Sequence, residues 1–315
     1  MVKKYLKKNK VIFFGTDDIA INTLKWLIDN NESVLVVTQP DKPIGRKRTI
    51  TPSPVKIMAS KHSLPVLQPG NLRSDNFKTT VNGFKPTVGL VAAYGKLIPE
   101  WLINNIQMGL LNIHPSLLPA YRGPSPVQNA LLDGKLITGI SLMLIDKGMD
   151  TGPLLGQYKI NIEPDDDYIK LINKINDKVS ILLDKYFNKY LNGGIQPTAQ
   201  GSGGFDTKLI YKGDGKINWR ESANKIYNRY RAYIKWPGIW TTWNGRIIKL
   251  LEIKLSDETS GKPGLVYQSN SNKLIISCGQ GSIIVNKLQL EGKTPQLTND
   301  WILGYPKIIG SVIGS

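Results

Sequence analysis

Val11-Ile12-Phe13-Phe14-Gly15-Thr16-Asp17-Asp18-Ile19-Ala20-Ile21-Asn22-Thr23-Leu24-Lys25-Trp26-Leu27-Ile28 is the stretch that decides the fold. Val11–Phe14 is a continuous apolar run of strand length. Gly15 to Asp18 is polar and suited to a turn. Ile19 to Ile28 places its apolar residues at helical spacing, so the whole reads as strand, turn and helix. Working outward, apolar runs recur at Val34–Val37, at Val88–Ala92 ahead of Tyr94-Gly95, at Gly109–Ile113 ahead of His114, and at Leu142–Ile145. Such runs suit strands buried on both faces. Alternating with helical segments, they predict an α/β domain: a Rossmann-like, open, mostly parallel sheet with helices on both faces. Ligands of such sheets sit beyond the carboxyl ends of the strands, so the residues after each run are where chemistry is expected.

The chain has 315 residues, 41% of them hydrophobic, which suits two domains. A helical stretch from Lys170 to Leu191 is followed by a Gly/Ser/Pro-rich segment, Gln196 to Gly204. We read residues 1–195 as one domain, 196–207 as a linker and 208–315 as a second domain. The second part opens with a basic helical segment, Glu221 to Tyr233, and continues as short strands. Asn244-Gly245 between two of them is a hairpin signal. Strands at this spacing suggest a small OB-like β-barrel.

Lys and Arg number 41 against 24 Asp and Glu, a formal net charge of +17, and about half of the excess lies in the last third. A folded domain this basic is electrostatically suited to polyanions. Cys278 is the only cysteine, so an intramolecular disulfide and a thiolate zinc site are both excluded. The Lys-rich start lacks the apolar core of a secretory signal, and no apolar run reaches membrane-spanning length. With no convincing transit peptide, a bacterial cytoplasm is expected ahead of an organelle, and no membrane is expected to be engaged.

Only two histidines occur. His62, in a polar segment after a helix, reads as a surface residue. His114 ends an apolar strand two residues after Asn112, and positions i and i+2 of a strand share a face. An amide donor beside an imidazole can stabilise an oxyanion; the same pair can also simply hold a loop. The following segment, Pro115 to Pro126, is rich in proline and therefore restricted in φ. Asp150, in Gly148-Met149-Asp150-Thr151-Gly152, could face His114, fix its ring and favour its charged form; alternatively it bonds its own turn. Asp165-Asp166-Asp167 reads as the acidic start of a helix rather than a metal cluster. Gly201 to Gly204 lacks the Lys-Ser/Thr of a phosphate loop, and the turn after the first strand lacks G-x-G-x-x-G, so no dinucleotide cofactor is expected.

Asn112-Ile113-His114-Pro115-Ser116-Leu117-Leu118-Pro119, then Arg122-Gly123, Pro126 and Asp150-Thr151-Gly152, resembles the signature of the 10-formyltetrahydrofolate-dependent formyltransferases. Thr38 to Pro43, Gly45-Arg46, Pro52 to Lys56, Ala93-Tyr94-Gly95 and Leu97-Ile98-Pro99 are similar to the methionyl-tRNA formyltransferases within that superfamily. So are Ile217-Asn218-Trp219, Trp236-Pro237-Gly238 and Asn244-Gly245. The resemblance runs from about Val11 to Gly304. Two positions depart from it: Asp17-Asp18-Ile19 replaces the usual Pro, acidic and aromatic residues, and Lys42 stands where arginine is common.

The resemblance implies attack by the α-amine of methionyl-initiator tRNA on the formyl carbon of 10-formyltetrahydrofolate, with no metal and a monomeric enzyme. Asn112 and His114 would serve the oxyanion, and Asp150 would hold His114 protonated and help move the amine proton. Ser116, Leu117, Leu118 and Pro119, with Tyr94, Gly95, Leu97 and Ile98, would bind the folate. Lys42, Arg46, Lys47 and Arg48, in the segment from Thr38 to Arg48 that reads as a loop with two prolines and a basic tip, would contact RNA, as would Lys208. A sugar-amine formyltransferase is the nearest alternative, because it shares the Asn-x-His and Asp set. A non-catalytic RNA-binding protein on the same scaffold is the other.

Overall fold

The structure is a computed structural model and describes residues 9–30, 33–44, 48–258, 261–269 and 273–314. The chain begins with β1 (Lys10–Gly15), α1 (Ile21–Asp29), β2 (Ser33–Val37), β3 (Lys42–Ile44), β4 (Thr49–Thr51), α2 (Pro54–Lys61) and β5 (Val66–Leu67). Next come α3 (Asp75–Phe84), β6 (Val88–Ala92), α4 (Glu100–Asn105), β7 (Leu110–His114), β8 (Ala120–Arg122), α5 (Pro126–Leu132), β9 (Ile137–Leu144), β10 (Leu154–Asn161) and α6 (Tyr168–Leu191). The last third holds β11 (Phe205–Asp206), α7 (Ala223–Tyr233), β12 (Ile239–Trp243), β13 (Arg246–Ser256), β14 (Val266–Gln268), β15 (Leu274–Ser277), β16 (Ser282–Leu290), β17 (Gln296–Leu297) and α8 (Thr298–Gly304). The described residues form two compact units. One comprises Met1–Gly123, Thr138–Asn161 and Ile172–Asp206; the other comprises Pro124–Ile137, Ile162–Leu171 and Thr207–Ser315.

The first unit is built on a seven-stranded sheet in the order β10-β9-β7-β6-β1-β2-β5. Its five strands from β5 to β7 run parallel, and β9 is antiparallel to β7. The apolar runs explain its core. Val11, Ile12, Phe13 and Phe14 are all fully buried, as a strand covered on both faces requires. Ile12 and Phe14 pack in a cluster with Phe77 and Val81 of α3 and Leu102 of α4. Phe13 faces the other way: a Cβ at Gly15 would meet its ring at 2.7 Å and the Ala20 Cβ at 2.8 Å, so the turn out of β1 needs glycine. α1 and α6 are tied by Trp26, whose Nε1 donates to Asp184 at 2.7 Å while its ring meets Phe187 edge to face.

Three features of this unit differ from the sequence reading. The strand expected at Leu142–Ile145 starts earlier, at Ile137, and is antiparallel, so its end lies beside Leu111 rather than at the carboxyl edge of β7. The segment from Thr38 to Arg48, read as a loop, contains β3, which pairs with β4 as a hairpin. The Gly/Ser-rich stretch read as a connection folds onto the first unit: Thr198 pairs with Leu154, and β11 pairs with β8.

The second unit carries an antiparallel sheet in the order β12-β13-β16-β15-β14, with β17 on β16. Asn244 and Gly245 join β12 to β13 with φ of 49° and 72°, the left-handed pair that matches strand twist. Ile239, Thr241, Ile248, Leu250, Ile253, Val285, Leu288 and Leu290 are buried on one face. The acidic run behaves as a helix start: Asp167 accepts the Lys170 amide at 2.9 Å. Among the described residues, no helix is long and apolar enough to cross a membrane.

Candidate active site

β7 carries Asn112 and His114 on one face, with His114 only 5% exposed. Beyond it the chain doubles back through a cis Leu118–Pro119 bond, and the Tyr121 carbonyl returns to within 2.9 Å of His114 Nε2. A carbonyl can only accept, so Nε2 carries a hydrogen and donates. Ser141 and Gln157 hold the reversal in place. The Ser141 hydroxyl donates to the Ser116 carbonyl at 2.6 Å and accepts the Leu118 amide at 3.1 Å; Gln157 donates to the Leu118 carbonyl at 2.8 Å.

Asp150 arrives on the loop between β9 and β10. Asp146 shapes that loop by accepting the Gly148 amide at 3.0 Å and the Thr151 hydroxyl at 2.7 Å. A Cβ at Gly152 would lie 1.8 Å from the Leu144 carbonyl oxygen, so the loop closes on β9 only with glycine there. Asp150 itself has φ of 54°, a left-handed conformation that a non-glycine residue holds at some cost and that recurs at functional sites. Its Oδ2 accepts the Gly123 amide at 2.8 Å and lies 3.5 Å from His114 Nδ1; its Oδ1 accepts from Asn112 Nδ2 at 3.3 Å. The antiparallel β9 means that this folded-back loop, not a shared strand edge, brings Asp150 to the pair.

Sequence reasoning missed Gln200, which sits in the stretch read as a connection. Its amide nitrogen donates to the Asp150 carbonyl at 2.9 Å and the Gly152 carbonyl at 2.8 Å. Its amide oxygen accepts from Arg122 Nε at 3.0 Å and from the guanidinium Nη2 at 2.7 Å. Nothing in the local sequence marks it, because its partners are 48 to 78 residues away.

Burial pulls the His114 pKa below its ordinary value of 6.5, and this outweighs the opposing pull of the Asp150 charge and the Tyr121 carbonyl. That direction runs against the expectation that Asp150 keeps His114 protonated. With Nε2–H given to Tyr121, the Nδ1 lone pair faces Asp150, and the pair can accept one proton.

Asn112 and Asp150 line a cleft of about 300 Å³, with Leu97, Ile98, Val91, Ile103, Ile145, Asp146, Lys96 and Lys147 also on its wall. Leu97 is 86% exposed there. Tyr94, Gly95, Ser116, Leu117, Leu118 and Pro119 lie off this lining. Ser116 and Leu118 are buried in the reversal described above, and burial raises the Tyr94 phenol to about 12. Of the expected RNA contacts, Lys42 donates to Gln39 and Arg48 is exposed with φ of 48°, whereas Arg46 and Lys47 lie outside the described residues. Lys208 is exposed in the second unit. Among the described residues, no group of three or more His, Cys, Asp or Glu is placed to hold a metal ion.

Comparison with known proteins matches residues 8–185 to the formyl transferase profile and residues 209–306 to the formyl transferase C-terminal domain. The chain is 38% identical to the methionyl-tRNA formyltransferase of Caldicellulosiruptor saccharolyticus over 96% of this chain and 99% of that one. It is 37% identical to the methionyl-tRNA formyltransferase of Thermus thermophilus, over 97% and 99%. Among solved structures, an N-formyltransferase from Helicobacter canadensis, bound to folinic acid and dTDP-3-aminofucose, superposes with a TM-score of 0.67. It shares 21% identity, over 89% of this chain and 99% of that one, which carries the fold alone.

Proposed function

The chain belongs to the formyl transferase family, among its methionyl-tRNA formyltransferases, and from that premise we infer that it moves the formyl group of 10-formyltetrahydrofolate onto the α-amine of methionyl-initiator tRNA, for translation initiation. The observation that carries this reading is Asp150: one carboxylate oxygen meets the Gly123 amide and faces His114, the other meets Asn112, and the group opens onto the cleft. The reading places the protein in a bacterial cytoplasm, acting as a monomer.

The cleft fits the donor. Val91, Ile98, Ile103 and Ile145 give apolar walls for a flat heterocycle, and Asp146 and Asp150 give acceptors for its N–H groups. In this reading Tyr94, Gly95, Leu97 and Ile98 form the segment over the heterocycle, and Ser116, Leu117, Leu118 and Pro119 act from behind, by fixing the reversal that orients His114. The folate supplies the formyl carbon. Asn112 has two amide hydrogens; Asp150 engages one, and the other donates to the formyl oxygen as negative charge grows there. His114 Nδ1 and Asp150 together accept the proton that the attacking amine loses, and pass it to the folate nitrogen as its bond to the formyl carbon breaks. No metal enters this scheme.

Lys42, Arg46, Lys47 and Arg48, and Lys208 in the second unit, contact tRNA phosphates in this account. We take residues 1–195 as the catalytic domain, 196–207 as the connection and 208–315 as an OB-like tRNA-binding domain. The sugar-amine alternative rests on the shared Asn-x-His and Asp set, and the N-formyltransferase that superposes is only 21% identical, while the relatives at 37 and 38% identity are methionyl-tRNA formyltransferases. The test offers labelled 10-formyltetrahydrofolate with either charged initiator tRNA or a nucleotide-linked amino sugar. Label on the tRNA supports the reading, and label on the sugar alone overturns it.

A further inference from the structure

Trp240 stands on the outward face of β12. Its neighbours Ile239 and Thr241 are buried, so strand alternation turns Trp240 and Thr242 to the other side. Register then sets Trp240 beside Lys249 of β13, and Lys249 beside Gln289 of β16. An aromatic ring, a cation and an amide thus form one row across three strands. A strap alongside fixes the ring: Lys216 bridges to Trp240, Ile217 donates its amide to the Trp240 carbonyl at 2.8 Å, and Trp240 Nε1 donates to the Lys212 carbonyl at 3.3 Å. Lys216 Nζ lies 5.9 Å from the ring centroid. Trp240, Lys212, Lys249 and Gln289 line a cleft of about 260 Å³. Its carboxylate, Glu291, is turned to the backbone, where it accepts the Ile247 amide at 3.3 Å.

Tryptophans that serve the core of this unit look different: Trp219 and Trp301 are 4% and 1% exposed. Trp240 is half-buried among lysines instead. A ring already held at its edge loses little freedom on binding, and every nucleobase presents a face to it. The surrounding charge suits a polyanion, since residues 207–315 carry 16 Lys and Arg against 7 Asp and Glu.

We propose that the Trp240–Lys249–Gln289 row is a stacking subsite for one unpaired base of an RNA, with Lys212, Lys216 and Lys249 on the flanking phosphates. It rests on the reading of charged tRNA as the substrate and assigns that substrate a foothold in the second unit.

The test measures binding of uncharged initiator tRNA and of a single-stranded hexaribonucleotide to the full chain, across a salt series. Trp240→Leu keeps apolar bulk without an aromatic face, Trp240→Phe keeps the face, and Lys249→Ala removes a charge. Trp240→Leu should weaken binding of both RNAs on the order of tenfold with the salt slope unchanged, and Trp240→Phe should stay within about threefold of wild type. Lys249→Ala should flatten the slope by about one. Circular dichroism and the melting temperature check that each variant is folded. Unchanged binding by folded Trp240→Leu overturns the subsite, as does equal weakening by Trp240→Phe and Trp240→Leu. Wild-type formylation of charged tRNA in parallel separates the two readings: if it proceeds while Trp240→Leu binds normally, only the subsite fails.

Discussion

Nδ1 of His114 lies 3.5 Å from Oδ2 of Asp150, while Nε2 of the same ring is committed to the Tyr121 carbonyl at 2.9 Å. Both partners are acceptors, so the ring's charge state is set by the balance between them and burial, and burial is the larger influence. Because the chain has only two histidines, the imidazole signals can be followed individually by NMR. His114 should titrate below 6.5. The unfolded chain takes up that proton first as pH falls, so this group's stabilisation is complete above about pH 6.5 and is lost below it. His114→Gln should flatten the acid loss of stability. A His114 pKa above 6.5 would restore the idea that Asp150 keeps the ring charged.

Asn112→Ala should lower kcat by ~10²–10³, the usual cost of a missing donor to developing negative charge, and His114→Ala by ~10²–10⁴, the usual worth of a positioned acid–base group. KM for the folate should change far less, because the donor's apolar contacts remain. A threefold loss in kcat would remove the substituted residue from the chemistry.

Gln200 joins the backbone of the Asp150 loop to Arg122, next to the Gly123 amide that holds the carboxylate. Gln200→Leu removes the amide donor of two carbonyls and one acceptor of the Arg122 guanidinium, a loss of about 1–3 kcal/mol in a partly buried place. We expect kcat to fall by about tenfold or more with little change in KM. Gln200→Glu should not rescue it, since a carboxylate still accepts from Arg122 but repels the Asp150 and Gly152 carbonyls. Wild-type kcat in both variants would show that the loop holds its shape without this residue.

Neutralising Lys42, Arg46, Lys47 and Arg48 together should raise KM for tRNA and flatten its salt dependence, with kcat retained. Each cation that no longer pairs with a phosphate should reduce the slope of log K against log salt by about one. An unchanged slope would assign the RNA contacts elsewhere.

The parallel half of the sheet was legible because Val11–Phe14, Val34–Val37 and Val88–Ala92 are uninterrupted apolar runs, the pattern of strands covered on both faces. Asn112 and His114 were legible as a pair because strand periodicity alone puts them on one face. The direction of β9 was not, since an apolar run looks the same in either direction. Nor was Gln200 legible: a side chain amide in a Gly/Ser-rich stretch acquires its role only when distant carbonyls are brought to it. The burial that lowers the His114 pKa was not legible either, because segments from elsewhere in the chain create it.

The account's central claim is that Asn112, His114 and Asp150 move a formyl group onto charged initiator tRNA. Single-turnover formylation of methionyl-initiator tRNA by wild type and by Asp150→Asn tests it most directly. The account predicts rapid transfer by the wild type, and a loss of at least about a hundredfold in Asp150→Asn with tRNA binding intact. Transfer by Asp150→Asn at the wild-type rate would contradict it.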